Sequence, residues 1–177
     1  MPFSSDDRER QSDLSTAGEH LPPYSAADVA LDVVLGLDWA GLSVLRHRVA
    51  VWLRAHGWSP SHIGDLVLAV NEAVTNSLEH GYGLEQGAAV GDAAPGRAEV
   101  VEVHGEIIID RHGQQYVELA VRDYGRWRTP AQDVPARGDG IRLMRACTDE
   151  VTVSHGAGGT IVHLRSRPLP ILPFKDD

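Results

Sequence analysis

Residues 59–82, SPSHIGDLVLAVNEAVTNSLEHGY, carry the most regular pattern in the chain. Ser59 is suited to the N-cap of a helix, and Pro60 is suited to its first position. Apolar side chains then recur with a period near 3.6, at Ile63, Leu66, Val67, Val70, Val74 and Leu78. The pattern predicts an amphipathic helix that ends at His80-Gly81, where Gly81 can adopt the left-handed conformation.

Polar side chains repeat along this same helix. Glu72, Asn76 and His80 lie at positions i, i+4 and i+8, so an α-helix would place all three on one face. A carboxylate can act as a base, a carboxamide oxygen can bind a hard cation, and an imidazole can donate or accept a hydrogen bond. These side chains could equally just solvate the outer face of the helix. The spacing alone therefore leaves both interpretations open.

Helical and extended patterns alternate on either side of this helix. Leu42, Leu45, Val49 and Leu53 predict a first helix over residues 40–57. The predicted strands are 28–37, 98–110, 115–122, 150–154 and 160–166, and a short third helix is predicted over 139–148. This order favours an α/β (α+β) two-layer sandwich with a mixed, mostly antiparallel sheet and its helices on one face.

The segments outside these elements are polar or rich in Gly and Pro. Residues 1–27 are predicted to be a disordered N-terminal tail, 28–166 the folded domain, and 167–177 a C-terminal tail. Residues 83–97 and 124–138 are predicted loops.

Charge and composition narrow the class of protein. The net charge of −9 argues against direct nucleic-acid binding. The one cysteine excludes a disulfide within the chain. No apolar run approaches the roughly 20 residues that span a bilayer, and the acidic, polar start lacks a signal-peptide pattern. We therefore expect a cytoplasmic protein that does not enter the membrane.

Three further motifs could line a ligand pocket. Asp123 ends an apolar strand, where its carboxylate could accept from an exocyclic amine such as that of adenine, and Gly125 leaves space for a flat ring. Gly138 and Gly140 begin the third helix, whose N-terminal N–H groups could bind phosphate. Thr160 opens the last strand after two glycines. Each motif also fits an ordinary turn.

Together these segments resemble a known superfamily. EAVTNSLEHGY (72–82), VRDYG (121–125), GDGIRLMRACTDEV (138–151) and GGTIVHL (158–164) are similar to the motifs of the GHKL ATPases, which share the Bergerat-type ATP-binding fold. Within that superfamily they most resemble bacterial anti-sigma-factor serine/threonine kinases of the RsbW and SpoIIAB type. The resemblance covers roughly residues 28–166 and implies ATP and Mg²⁺ as cofactors.

The resemblance also implies roles for single residues. Glu72 would be the general base, and Asn76 would ligate Mg²⁺ beside the triphosphate. Asp123 would bind adenine with Gly125 beside it. The remaining positions implied to bind ATP are His80, Gly138, Gly140 and Thr160. Arg46, in the first helix, is similar to an arginine that contacts protein partners.

The implied partners are a sigma factor, an anti-sigma-factor antagonist, or both, and a homodimer is compatible with the resemblance. The implied reaction transfers the γ-phosphate of ATP to a serine or threonine hydroxyl of the antagonist, and transcription is then regulated by partner switching.

One position departs from the pattern. Trp127 stands where a second glycine is expected after Gly125, and the loop that follows is short for an ATP lid. An indole there could obstruct the ligand or stack against it.

Three functions therefore remain open: the kinase, an ATP-binding regulatory module that only sequesters a protein partner, and a histidine-kinase catalytic domain or related ATPase. The sequence pattern predicts no dimerisation helix with a phospho-acceptor histidine before the domain, and this expectation disfavours the last of these.

Overall fold

The computed structural model describes residues 30–84, 99–125 and 139–170. In chain order its elements are β1 (Ala30–Gly36), α1 (Gly41–Ala55), α2 (Pro60–Asn76), a π-helix (Ser77–Gly81), β2 (Val100–Ile109), β3 (Gln114–Asp123), α3 (Asp139–Cys147), β4 (Glu150–Gly156), β5 (Gly159–Arg165) and β6 (Leu169–Pro170). Every helix and strand expected from the sequence within these ranges is present, with bounds that differ by a few residues.

The strands form one sheet. Its order is β1-β2-β3-β5-β4, and the short β6 pairs with β3. All strand pairs in the described ranges are antiparallel, so the sheet is antiparallel there rather than mixed. Pairing of β3 with β5 places Asp123 directly opposite Thr160. This register brings two of the predicted site residues to the same end of the sheet.

The helices cover one face of this sheet, and the core lies between the two layers. Side chains alternate along each strand, so that Val117, Leu119 and Val121 of β3 point into the core while their neighbours do not. From the helices, the core receives Leu45, Val49, Leu53, Leu66, Val70 and Val74 among others. The α/β two-layer sandwich is therefore confirmed.

The end of the second helix differs from the sequence prediction. The helix widens after Asn76 into a π-helix, and the Tyr82 N–H donates to the Ser77 carbonyl at 3.1 Å, a bond that spans five residues. Gly81 lies within this wide turn, and the left-handed residue is Gly83, with φ of 71°. The expectation of a left-handed Gly81 was wrong, because Gly81 is the last residue of the π-helix and Tyr82 after it is also in the right-handed region.

Other expectations are corrected or fall outside the described residues. Leu169–Pro170 pairs with Gln114 and Gln115, so the predicted C-terminal tail contributes a short strand. The predicted N-terminal tail and most of the two long loops lie outside the described ranges. Within those ranges, none of the helices is long and apolar enough to span a membrane.

Candidate functional site

Asp123 is the buried carboxylate of the site, with 2 % of its surface exposed. It is the last residue of β3, and the alternation of the strand turns its side chain towards the helices. The backbone N–H groups of Gly125 and Thr160 donate to its Oδ1 at 3.0 and 3.3 Å. The Ser77 hydroxyl also hydrogen bonds to the carboxylate. The carboxylate is therefore fixed from three separate segments of the chain.

Burial and hydrogen bonding act in opposite directions on Asp123. Burial raises the pKa of this carboxyl, while the hydrogen bonds from Ser77, Gly125 and Thr160 lower it, and the net direction is upward. An acidic group with a raised pKa in a buried setting is common at functional sites.

Close backbone packing surrounds this carboxylate. A Cβ atom on Gly81 would lie 3.0 Å from Asp123 Oδ1, and a Cβ on Gly125 would overlap the Gly81 carbonyl. A Cβ on Gly159 would overlap the Asp123 carbonyl, and Gly159 also has a positive φ of 107°. The π-helix and the ends of β3 and β5 can approach one another only because these positions lack side chains.

Tyr82 connects the π-helix to the sheet. Its phenol accepts a hydrogen bond from the Tyr124 N–H at 3.0 Å and donates to the Val100 carbonyl at 2.7 Å. Burial raises the pKa of the Tyr82 phenol, so it remains a hydroxyl at neutral pH. The phenol thereby joins the start of β2 to the residue that follows Asp123.

A second polar group lies where α3 begins. A Cβ on Gly140 would lie 3.2 Å from both amide atoms of Asn76 and 3.3 Å from Glu72 Oε2. The first turn of α3 therefore packs against these two half-buried side chains of α2. Carboxylate and carboxamide oxygens suit Mg²⁺, and the helix N-terminus suits phosphate. The residues present thus fit a metal–phosphate group at this end.

The remaining predicted residues are His80, Arg46, Gly138 and Trp127. His80 is half-buried in the π-helix. Arg46 lies on the exposed side of α1, where its Nη1 donates to Asn71 Oδ1 at 3.1 Å. Gly138 and Trp127 lie outside the described residues. The roles of all predicted site residues remain predictions.

Three contributors to the site were not predicted from the sequence. Ser77, Gly81 and Tyr82 all belong to the π-helix or follow it directly. The HGY run was noted as part of a motif, but nothing local in it indicates contacts with β2 and β3. A π-helix has no simple sequence signature, although such turns are frequent at functional sites.

The fold and this arrangement match a known family. Residues 37–166 match the histidine kinase-like ATPase domain, which covers most of the chain. This protein therefore belongs to the histidine kinase-like ATPase family, and the GHKL resemblance found in the sequence is confirmed.

Individual relatives point to one branch of that family. The chain is 31 % identical over 109 residues to the serine-protein kinase RsbW of Bacillus velezensis, and 30 % identical over 109 residues to that of Bacillus subtilis. Each match covers 59 % of this chain and 65 % of the relative, so it spans just under two thirds of those kinases.

A solved structure supports the same branch. It contains the RsbU and RsbW domains of Rv1364c from Mycobacterium tuberculosis, and it aligns with a TM-score of 0.57 at 27 % identity. The alignment covers 80 % of this chain and 33 % of that one. The similarity to RsbW-type proteins is thus present in both sequence and structure.

Proposed function

We propose that this protein is an ATP-dependent serine/threonine protein kinase that phosphorylates an anti-sigma-factor antagonist and regulates transcription by partner switching. The observation that carries the proposal is the convergence of Glu72 and Asn76 on the first turn of α3. A base and a cation ligand meet there at a helix N-terminus suited to phosphate. The similarity to RsbW kinases supports the same reaction.

In this proposal Asp123 binds the adenine end of ATP, and the start of α3 with Asn76 binds the phosphate end. The Asp123 carboxylate accepts a hydrogen bond from the adenine amine, and Thr160 and Gly125 hold that carboxylate in place. Gly125 and Gly81 also keep side chains out of the adenine end. The α3 N-terminus, with Gly140 and the preceding Gly138, binds the phosphates. His80, in the π-helix, is a further ATP-binding residue in this proposal.

Asn76 would hold Mg²⁺ through its amide oxygen, and the ion when bound neutralises charge on the phosphates. Within residues 30–84, 99–125 and 139–170 no cluster of three or more His, Cys, Asp or Glu side chains could hold a metal. Mg²⁺ commonly takes few protein ligands and completes its shell with phosphate oxygens and water. The amide oxygen of Asn76 as the one protein ligand is compatible with this coordination preference.

Glu72 would act on the protein substrate. Its carboxylate would accept the proton from a serine or threonine hydroxyl as that oxygen attacks the γ-phosphate of ATP, while the bond between the γ-phosphorus and the β–γ bridging oxygen breaks and ADP leaves. General-base help of this kind contributes on the order of 10²–10⁴ in rate. Arg46, exposed on α1, would contact the sigma factor or the antagonist.

The test is phosphotransfer from [γ-³²P]ATP to the cognate antagonist. Glu72→Gln should lower the rate by about 10²-fold or more while ATP still binds, because the amide cannot take the proton. Glu79→Gln is the matched control, since Glu79 is also a half-buried glutamate in this helical run. Phosphorylation that is equally fast in the Glu72 variant and the wild type would exclude the assigned role.

A second candidate is an ATP-binding regulatory module that sequesters its partner without phosphotransfer. Trp127, in place of an expected glycine, favours it because an indole could obstruct the phosphates. Calorimetry that detects ATP binding, together with no phosphoserine or phosphothreonine on the antagonist, would select this candidate. Trp127→Gly would then be expected to restore transfer if the indole is the cause.

A further inference from the structure

The hydroxyl of Tyr82 occupies an unusual place between two strands. The last pair in the β2–β3 register is Val101 opposite Asp123, so Val100 and Tyr124 form the next pair along. The phenol accepts from the Tyr124 N–H at 3.0 Å and donates to the Val100 carbonyl at 2.7 Å. A side-chain hydroxyl thus links the backbone donor and acceptor at the end of this ladder.

From this geometry we infer that Tyr82 is a positioning residue for the nucleotide, which fixes the β3 end that carries Asp123 through the Tyr82 hydroxyl bridge between Tyr124 and Val100. The inference rests on the proposed function, because Asp123 is taken there as the adenine ligand. It adds a residue whose side chain contacts the backbone around that ligand.

The backbone at the bridge is continuous with the adenine ligand. Tyr124 lies between Asp123 and Gly125, and the Gly125 N–H donates to the Asp123 carboxylate at 3.0 Å. Gly125 in turn packs against the backbone of Gly81, the residue before Tyr82. A shift of the Tyr124 peptide would therefore move Gly125, which both donates to the Asp123 carboxylate and packs against the Gly81 backbone.

The bridge also restrains the π-helix. The Tyr82 N–H donates to the Ser77 carbonyl at 3.1 Å, and the Ser77 hydroxyl bonds to Asp123. The backbone of Tyr82 closes the wide turn while its phenol attaches that turn to the sheet. Without the hydroxyl, the half-buried N–H of Tyr124 and the carbonyl of Val100 would lose this partner, and the turn could separate from the strand end.

The experiment compares Tyr82→Phe with Tyr116→Phe. Both variants remove only a phenol oxygen, but Tyr116 lies earlier on β3, on the open face beneath Arg165, whose guanidinium carbon is 3.8 Å from the ring centre. Tyr82→Phe should weaken ATP binding about tenfold by calorimetry. It should also speed amide hydrogen exchange at Tyr124 by about tenfold in the absence of nucleotide. Tyr116→Phe should change neither quantity.

A purely structural tyrosine predicts a different result. In that case Tyr82→Phe would lower the melting temperature but leave ATP affinity unchanged well below that temperature, and this outcome would overturn the inference. Unchanged exchange at Tyr124 would overturn it as well. If the variant does not fold, exchange at Tyr124 is compared in the wild type with and without ATP: slower exchange when ATP is bound would support the inference, and exchange that ATP does not change would overturn it.

The nucleotide measurement also separates this inference from the proposed function. A wild-type chain that binds no ATP would overturn both. A wild-type chain that binds ATP, with unchanged affinity in Tyr82→Phe, would overturn only the assignment of Tyr82.

Discussion

Asp123 and Tyr124 are neighbours in the chain, yet their side chains lie on opposite faces of the sheet. Asp123 is buried on the helix-covered face and is fixed by backbone N–H groups and Ser77. The Tyr124 phenol donates to Glu102 Oε2 at 2.8 Å on the open face, and the Arg122 guanidinium carbon lies 4.8 Å from its ring centre. One strand end therefore supplies a pre-arranged buried acceptor on one side and a solvated polar surface on the other.

The difference shows how environment sets the chemistry of similar groups. On the covered face a carboxylate is dehydrated, so its few hydrogen bonds are strong and its pKa is raised. On the open face Asp32 and Glu106 flank His104 in water, where such pairs contribute little. Substitutions should therefore have large effects on the covered side and small ones on the open side.

The largest effect is expected for Gly125→Ala. The added methyl group would overlap the Gly81 carbonyl, and both backbone segments lie against the buried Asp123 carboxylate. We expect the free energy of unfolding to fall by about 3 kcal/mol, as measured by urea denaturation. Gly156→Ala is the control, because a Cβ added at this position in the exposed β4–β5 hairpin would meet nothing within 4 Å. Equal losses in both variants would contradict the close packing.

The second-largest effect is a loss of ATP affinity in Asp123→Asn. Asp123→Asn keeps the size of the side chain and an oxygen that can accept from Gly125, but it removes the negative charge that we propose binds the adenine amine. A hydrogen bond to a charged group contributes about 1.5–3 kcal/mol, which corresponds to a loss of affinity of about tenfold to hundredfold. Asp32→Asn, on the open face, should leave affinity unchanged. Calorimetric titration of ATP into the two variants measures the difference.

The raised pKa of Asp123 adds a pH dependence. Because the folded pKa lies above the ordinary value of 3.8, the buried charge costs stability above the folded pKa, and this cost disappears as the pH falls through it. Protonation also removes the anionic acceptor, so ATP affinity should fall in the same window, beginning at a higher pH than an ordinary aspartate would give. Asp123→Asn should lack this component. Calorimetric titration of ATP at a series of pH values measures this dependence. If affinity fell with pH in the same way in the wild type and in Asp123→Asn, the assignment of Asp123 as the adenine ligand would be contradicted.

The sequence predicted the fold well because its signals are local. The period of Ile63, Leu66 and Val70 identifies a helix without knowledge of its neighbours, and alternation along β3 identifies a strand. Asp123 and Thr160 were also expected at strand boundaries, although only the β3–β5 register places them opposite each other.

The parts that were missed depend on contacts far apart in the chain. Ser77 is an ordinary helical serine until the π-helix turns it towards a carboxylate 46 positions later in the numbering. Gly81 resembles a helix-terminating glycine, but the structure requires glycine here because a Cβ atom would crowd the Asp123 carboxylate. Tyr82 bridges β2 and the end of β3, which no spacing within the preceding helix could indicate.

The smallest effect is expected on the open face, at His104. Its Nδ1 lies 2.7 Å from Asp32 Oδ1 and its Nε2 lies 3.1 Å from Glu106 Oε1, and these two hydrogen bonds raise the pKa of the imidazole above 6.5. The raised value means that the stabilisation is fully present below the unfolded pKa and is lost as the pH rises through the folded pKa. The side chain is 47 % exposed, so the loss should be only about 0.5 kcal/mol.

An NMR titration of the imidazole resolves this small effect better than unfolding does. The midpoint for His104 should lie above 6.5 in the wild type and move down in Asp32→Asn, since the bond to Asp32 is the larger of the two causes. Glu106→Gln should move it down by less. Added salt should also lower the midpoint, because the pair is exposed to solvent. If neither substitution changed the His104 midpoint, the hydrogen bonds to Asp32 and Glu106 would not be formed in solution. The contrast between His104 and Asp123 would then depend on burial alone.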